Sequence, residues 1–185
     1  MIEKISTSIT HVICNKSNSN SKFEIIEYGI ECIINTLIPV FLLFIYCIIN
    51  KTLMEMIIWI CLFLHYRNLI GGYHASSHIK CILLSTIYCM LSIYAITIST
   101  HISIQCKLII FIFCFIIHSS MNPIIHHEED RNQVYLKHCK IKIMITLSLA
   151  LFFMFVFNYI SISISNSIFI AIISAEILYL ITENK

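Results

Sequence analysis

Long apolar runs with few helix breakers dominate this chain and restrict what it can fold into. Segments such as LIIFIFCFII and IMITLSLALFFMFVF are apolar on every side of a helix. Of the 185 residues, 58% are hydrophobic and 12% are charged, and there are only 3 Gly and 2 Pro. Soluble domains have about twice that charged fraction, whereas runs of this kind form transmembrane helices. The sequence therefore predicts an integral membrane protein that crosses the bilayer several times.

A membrane β-barrel is the competing architecture, and the residue pattern argues against it. Barrel strands alternate apolar and polar residues over segments of about 10 residues. Only ISISIS, at 160–165, alternates in this way, and it is short. We therefore expect an all-α, polytopic fold.

Six apolar segments are candidates for membrane-spanning or partly inserted helices. A span needs roughly 20 residues to cross about 30 Å of hydrocarbon. The second segment is short, so it is expected to be tilted, recessed or only partly inserted. Pro39 in the first segment predicts a kink, because proline removes a backbone hydrogen bond. The predicted segments are 30–49, 53–66, 82–99, 104–120, 143–160 and 164–181.

The first 22 residues have a different pattern. Ile2, Ile5 and Ile9 recur at helical spacing, without the unbroken apolar region of a signal peptide. This pattern predicts a short amphipathic helix on the membrane surface, followed by the polar break SNSNS. The chain is expected to form a single membrane-embedded domain, with residues 1–22 as the surface segment and residues 23–185 as a helical bundle.

A second helix is expected to begin beside this polar break. Ser21 followed by Glu24 matches a capping box, in which the two side chains bind each other's backbone N–H groups. Glu24, Glu27 and Glu31 then line one helical face before the first apolar segment. The sequence leaves two alternatives open for this face, which is either solvated or in contact with a partner.

The distribution of Lys and Arg predicts the orientation in the membrane, because cytoplasmic connections are enriched in these residues. With six spans and a cytoplasmic N-terminus, only Lys51 and Lys107 of the 12 basic residues lie outside. Both termini, residues 67–81 and the loop 121–142 are therefore expected in the cytoplasm. The inside residues are Lys4, Lys16, Lys22, Arg67, Lys80, Arg131, Lys137, Lys140, Lys142 and Lys185.

The 9 cysteines do not indicate a disulfide framework or a zinc ribbon. Their number is odd and no C-x-x-C occurs. Most of them lie inside apolar runs, where cysteine behaves as a small hydrophobic residue. We expect a packing role for eight of them, and Cys81 is the exception.

Cys81 ends the stretch RNLIGGYHASSHIKC, residues 67–81, between the second and third apolar segments. Gly71 and Gly72 are expected to interrupt the helix here, because glycine permits backbone angles that other residues avoid. A thiol becomes a useful nucleophile when a nearby base or cation favours the thiolate. The groups near Cys81 in sequence that can do so are Arg67, His74, His78 and Lys80.

Helix geometry does not by itself decide which histidine is the base. On a straight helix His74 would lie about 10 Å from Cys81 along the axis. Its side chain would also lean away, toward the helix N-terminus. His78, three residues before Cys81, is better placed if the helix is regular. His74 reaches the thiol only if the glycine pair lets the chain bend or fold back.

The pattern R-x-x-x-G-G-x-H-A-x-x-x-x-x-C, formed by Arg67, Gly71-Gly72, His74-Ala75 and Cys81, resembles the signature of the accessory gene regulator protein B family. The family consists of membrane cysteine endopeptidases of bacterial quorum sensing. The chain length, the several spans and Asn122-Pro123 at the start of a charged loop are also similar. The resemblance implies that Cys81 is the nucleophile and His74 its base. Arg67 or the backbone N–H groups of residues 71–72 are then the candidates for stabilising the oxyanion.

The resemblance also implies a substrate, a reaction and a location. The partner is a small precursor peptide, cleaved through a thioester to Cys81, which a thiol or hydroxyl of the precursor then converts into a thiolactone or lactone ring. No cofactor and no nucleic-acid partner are expected. The protein is expected in the bilayer of a bacterial cell membrane, with its active site on the cytoplasmic side, and a homodimer is compatible with the sequence.

A metal site is the main alternative. His74, His78 and Cys81 have the spacing to reach one zinc ion from a helix face, and HHEED at 126–130 adds further ligand types. Such a protein would be a metal transporter or a metallopeptidase, although H-E-x-x-H is absent. A membrane protein without enzymatic activity is the third hypothesis. Inactivation by thiol alkylators but not by chelators would favour the thiol hypothesis over the metal hypothesis.

Glu176 is an acidic residue inside the last predicted span, and intramembrane acids are functional candidates. It is expected either to orient His74 or to seal a helix or dimer interface, and the interface is favoured. His65, His101 and His118 lie near span ends and are expected to face the membrane interface.

Overall fold

A computed structural model of the chain describes residues 2–17, 23–71, 77–121, 123 and 133–183. Within these ranges every regular element is helical, which confirms the predicted all-α, polytopic fold. The helices are α1 (Ile2–Ser17), α2 (Phe23–Asn50), α3 (Leu53–Ile70), α4 (His78–Ile98), α5 (Ile104–Ser120), α6 (Gln133–Ile160) and α7 (Ile162–Glu183), with a 3-10 turn at Ser99–His101.

The described residues fall into two compact units. Unit 1 combines residues 1–49 with 74–90, and unit 2 combines residues 50–73 with 91–185. Unit 1 therefore contains α1, nearly all of α2 and the first half of α4. Unit 2 contains α3, α5, α6 and α7. The single-domain organisation expected from the sequence stays a prediction.

The chain is a membrane protein, since five of its described helices are long and apolar enough to cross a bilayer. The predicted end of the second span at residue 66 was wrong, because α3 is 18 residues long and continues to Ile70. Tyr66, near its polar end, is buried. The shorter apolar helix is instead α5, with 17 residues.

Two further helices begin earlier than the apolar segments from which they were predicted. α2 starts at Phe23, so the row of glutamates and the first span form one 28-residue helix that continues through Pro39. α6 starts at Gln133, ten residues before the predicted span. An apolar run marks the part of a helix that contacts lipid, whereas a helix begins and ends at breaker and capping residues. No Gly or Pro occurs between residues 124 and 185, so no breaker separates the polar start of α6 from its apolar part.

In unit 1, α1 contacts α2 through its polar side. Ser6 Oγ donates a hydrogen bond to Glu31 Oε1 over 3.1 Å, and Thr7 Oγ1 donates to Glu27 Oε1 over 2.6 Å. Two of the three glutamates, Glu27 and Glu31, therefore contact α1 of the same chain, whereas Glu24 is exposed. The apolar side of α1 is exposed, as an amphipathic helix on a bilayer requires; its exposed residues are Ile5, Ile9, Val12 and Ile13.

In unit 2, α7 is the central helix. It packs against α3 and α6, and it is far more buried than the other long helices. Six of its twelve buried residues have small side chains, which lets neighbouring backbones approach closely, as in other membrane bundles. The small buried residues of α7 are Ser165, Asn166, Ser167, Ala171, Ser174 and Ala175.

Lys107 does not lie in an outer loop, as the sequence suggested, but is buried in the first turns of α5. Its side chain is 1% exposed and Nζ donates a hydrogen bond to Asn166 Oδ1 on α7. Nζ also lies 5.8 Å from the ring centre of Phe169, within the range of a cation–π contact. The long aliphatic stem makes this burial feasible, because it packs among apolar groups while the ammonium reaches a polar partner.

Candidate active site

The structure describes both ends of the 67–81 stretch. Arg67 and Gly71 lie at the end of α3 in unit 2, and Ser77 and Cys81 lie at the start of α4 in unit 1. Residues 72–76, which include Gly72 and His74, lie outside the described residues, as does the HHEED segment at 126–130.

Gly71 ends α3, as the sequence predicts. Its backbone has φ 81° and ψ −169°, and its N–H donates a hydrogen bond to the carbonyl oxygen of Arg67 over 2.9 Å. This combination of angles is essentially restricted to glycine. The requirement for glycine at position 71 is therefore conformational, and it sets the direction in which the chain leaves α3.

Arg67 lies one turn before that exit. Its guanidinium carbon is 5.9 Å from the ring centre of Phe63, and its side chain is half-buried. A cation at the C-terminal end of a helix interacts favourably with the helix dipole. The position of Arg67 is thus supported by both the ring and the end of α3.

Cys81 lies in the first turns of α4, and Ser77 caps this helix. The N–H of Lys80 donates to Ser77 Oγ over 3.4 Å, and the N–H of Cys81 donates to the Ser77 carbonyl over 2.9 Å. Serine is a preferred residue at this position, because its side chain satisfies an N–H that has no partner within the helix. The positive end of a helix dipole favours negative charge nearby. Thiolates are stabilised in such positions in other proteins.

His78 and Cys81 both belong to α4, three positions apart. Lys80 is exposed. The regular helix that would place His78 one turn before Cys81 is therefore present. His74 precedes α4, so any contact with the thiol depends on the segment between Gly71 and Ser77.

The other cysteines divide by burial. All nine are free, and Cys81 is partly exposed. Four of the remaining eight are buried, which fits the packing role expected for them, whereas Cys61 and Cys106 are exposed. Neither exposure nor a capped helix N-terminus distinguishes Cys81, because Cys106 is exposed and its N–H donates to the capping Ser103 of α5. What distinguishes Cys81 is the 67–81 pattern of Arg67, His74, His78 and Lys80 around it in the sequence. The buried cysteines are Cys14, Cys47, Cys89 and Cys114.

Glu176 is buried between helices of unit 2. Its Oε1 accepts hydrogen bonds from Tyr66 Oη on α3 over 2.5 Å and from His118 Nε2 on α5 over 2.8 Å. The expectation that His118 faces the membrane interface was wrong, because His118 is 1% exposed. Sequence analysis flagged the acid but missed Tyr66, since the partners lie 110 and 58 positions away along the chain.

The histidines, cysteines and acidic residues are also the candidate ligands of the metal hypothesis. Within the part of the chain that the structure describes, no group of three or more His, Cys, Asp or Glu is arranged to hold a metal ion. Two of the proposed ligand sources, His74 and the HHEED segment, lie outside that part. Sensitivity of the activity to chelators therefore remains the test of the metal hypothesis.

Comparison with known families decides the relationship. Residues 6–181 match the family described as accessory gene regulator B. The chain belongs to this family. No curated protein and no solved structure matches the chain.

Family membership fixes the general role of the protein. Accessory gene regulator B proteins are quorum-sensing membrane proteins involved in the processing of an autoinducing peptide. The matched range includes the whole 67–81 stretch and all of the helices of unit 2 except the last residues of α7. The family predicted from the sequence is thus confirmed, and this member's 67–81 stretch is its candidate active site.

Alanine substitutions at two glycines test the conformational role of Gly71. Gly71→Ala should lower the free energy of unfolding by about 1–3 kcal/mol, because φ 81° is strained for any L side chain. Gly29→Ala in α2 is the matched control, since a Cβ there meets nothing within 4 Å and alanine favours a helix by up to about 1 kcal/mol. Unfolding midpoints of the two purified variants in one detergent measure the difference. Equal midpoints would contradict the assignment.

Proposed function

We propose that this accessory gene regulator B member is a cysteine endopeptidase that cleaves a small precursor peptide, with Cys81 as the nucleophile. The observation that supports the proposal most is the spacing of the 67–81 pattern in a chain that matches the family. The placement of Cys81 at the capped N-terminal end of α4 is consistent with this role. A partly exposed thiol beside the positive end of a helix dipole is suited to attack a carbonyl carbon.

In the first step the Cys81 thiolate adds to the carbonyl carbon at the C-terminal edge of the future signal peptide. The C–N bond then breaks, and the amine of the released tail takes the proton that His74 removed from the thiol. The product is a thioester between the precursor fragment and Cys81. The guanidinium of Arg67 and the backbone N–H of Gly72 are the proposed donors to the oxyanion, because the N–H of Gly71 already donates to the Arg67 carbonyl.

In the second step an internal thiol of the precursor gives its proton to His74 and attacks the thioester carbonyl. The bond to Cys81 breaks, the Cys81 thiolate is restored, and a thiolactone ring closes. One thioester replaces another, so the exchange is nearly isoenergetic and proceeds without ATP. A serine hydroxyl in place of the internal thiol gives a lactone.

The membrane surface supplies the substrate in this proposal. The exposed apolar side of α1, with Ile5, Ile9 and Val12, would lie in the bilayer interface beside the amphipathic leader of the precursor. We also propose that both termini, residues 67–81 and the loop 121–142 face the cytoplasm. The burial of Lys107 strengthens the charge asymmetry, because Lys51 then remains the single basic residue assigned to the outer connections.

Substitution of the proposed nucleophile tests the activity. Cys81→Ala should abolish cleavage of the precursor and Cys81→Ser should reduce it to background, because no thioester can form. Cys89→Ser and Cys114→Ser are matched controls at buried thiols and should retain most of the activity. Cleavage is measured by mass spectrometry of the released tail at equal membrane abundance. Cleavage by Cys81→Ala, or loss of cleavage with chelators but not with alkylators, would end the thiol-peptidase proposal.

A pair of substitutions separates the two histidines. If His74 is the base, His74→Ala should lower the cleavage rate by about 10²–10⁴-fold, and His78→Ala should lower it by less than about 10-fold. Both rates are measured against one precursor at matched abundance. A severe loss in His78→Ala with a near-normal His74→Ala would show that the base lies on α4, three positions before the thiol.

Labelling of introduced cysteines tests the orientation. In a variant with Cys61→Ser and Cys106→Ser, an Asn132→Cys probe should react with an impermeant maleimide only after cell lysis. A Thr100→Cys probe, at an exposed position between α4 and α5, should react in intact cells and serves as the control. The reverse pattern would place the candidate active site outside the cell.

A further inference from the structure

A buried polar cluster in unit 2 is not used by the proposed reaction. It consists of Tyr66, His118 and Glu176, and we call it the Glu176 cluster. The three side chains are 0%, 1% and 4% exposed and come from α3, α5 and α7. One carboxylate oxygen, Glu176 Oε1, accepts from both the phenol and the imidazole. The ring of Tyr179 lies against His118, with 5.1 Å between the ring centres.

The cluster is costly to bury, which argues for a role other than filling space. An ionisable group in an apolar interior loses its hydration and needs hydrogen-bonded partners. Apolar residues of similar volume often replace such groups without loss of stability. What an apolar replacement loses is a specific atom-to-atom constraint, because a hydrogen bond depends on direction and restricts the rotation of a helix about its axis in addition to packing.

Tyr66 lies near the end of α3, so its hydrogen bond to Glu176 affects the orientation of that end. Tyr66 immediately precedes Arg67 and lies four residues before α3 ends. Successive residues are about 100° apart around a helix, so fixing the direction of Tyr66 also fixes that of Arg67. The carbonyl of Arg67 in turn accepts the N–H of Gly71. The chain leaves α3 at Gly71 toward residues 72–76.

A second bond holds the same part of α3 from another helix. His65 Nε2 lies 3.3 Å from Thr146 Oγ1 on α6. Two consecutive residues of α3 thus make directional contacts with two different helices, one turn before the exit. Ile70, at the end of α3, is fully buried. The end of α3 is therefore held in one orientation.

We propose that the Glu176 cluster positions the end of α3, and with it Arg67 and the Gly71 turn, for the peptidase reaction. The inference rests on the proposed function, since Arg67 acts there on the oxyanion and the Gly71 turn sets the direction of the chain that follows it. Tyr66, His118 and Glu176 are positioning residues in this scheme, and none of them contacts the substrate. Their effect is on the rate of the chemical step rather than on substrate binding.

The hydrogen bonds and the charge of Glu176 are separable by substitution. Glu176→Gln keeps a side-chain oxygen that accepts from Tyr66 Oη and His118 Nε2, while the negative charge is lost. Glu176→Met has a similar length and keeps neither bond. Tyr66→Phe removes only the bond to α3. Ser165→Ala is the matched control, because it deletes a buried hydrogen bond of α7, to the carbonyl of Met154 over 2.9 Å, in the other half of that helix.

The experiment measures kcat and KM for precursor cleavage by the full chain in proteoliposomes, with unfolding midpoints of each variant recorded in parallel. A small misplacement of catalytic groups costs up to about 10²-fold in rate. Tyr66→Phe and Glu176→Met should therefore lower kcat by about 10- to 100-fold with KM nearly unchanged. Glu176→Gln and Ser165→Ala should stay near the wild-type kcat.

Three results would overturn the inference. The first is normal kcat in Tyr66→Phe and Glu176→Met, and the second is an inactive Glu176→Gln, which would show that the charge is required. The third is a loss of activity in proportion to the loss of folded protein. If Tyr66→Phe or Glu176→Met does not fold, the activity of Glu176→Gln still decides between hydrogen bonding and charge. Activity that persists in Cys81→Ala would refute the proposed function itself, whereas a normal Tyr66→Phe beside an inactive Cys81→Ala refutes only the positioning role.

Discussion

Hydrogen bonds between buried side chains determine how the helices of unit 2 fit together. Apolar packing alone discriminates poorly between helix arrangements in a bilayer, because lipid tails are as apolar as the helix faces. α7 supplies directional bonds near both of its ends, to Lys107 through Asn166 and to Tyr66 through Glu176. A slip of one position along α7 would leave an ammonium and an acid buried without these partners, which is strongly unfavourable. The register of unit 2 therefore depends on a few polar residues among many interchangeable apolar ones.

Unit 1 follows the same physical rule with different residues. The contact between α1 and α2 is made by hydroxyl groups on carboxylates, at Ser6–Glu31 and Thr7–Glu27. In a soluble protein an amphipathic helix usually buries its apolar side against the core. Here the polar side of α1 contacts protein and the apolar side is exposed, which is the arrangement that a helix lying in a membrane surface requires. The same arrangement leaves an apolar surface where a second amphipathic helix can lie.

The candidate active site combines local and distant determinants. The Gly71 turn and the Ser77 cap depend on hydrogen bonds that span three or four residues, so they are set by the stretch itself. The orientation of the end of α3 depends on Glu176, which is 110 positions from Tyr66 along the chain. The proposed reaction needs both, since the Cys81 thiol must be reactive and the surrounding groups must point at one carbonyl.

The sequence by itself determined the membrane class, the helical fold, the family and the 67–81 stretch, because hydrophobicity, breakers and motif spacing are local properties. It also marked Glu176, since an acid inside an apolar run is visible without a structure. The tertiary structure decided the partners and the lengths. His118 and Lys107 looked like residues at span ends and proved to be buried, and Tyr66 proved to bond to Glu176 on a distant helix. Such outcomes depend on which helices meet, and a pattern of apolar residues that suits lipid and protein equally well does not encode that choice.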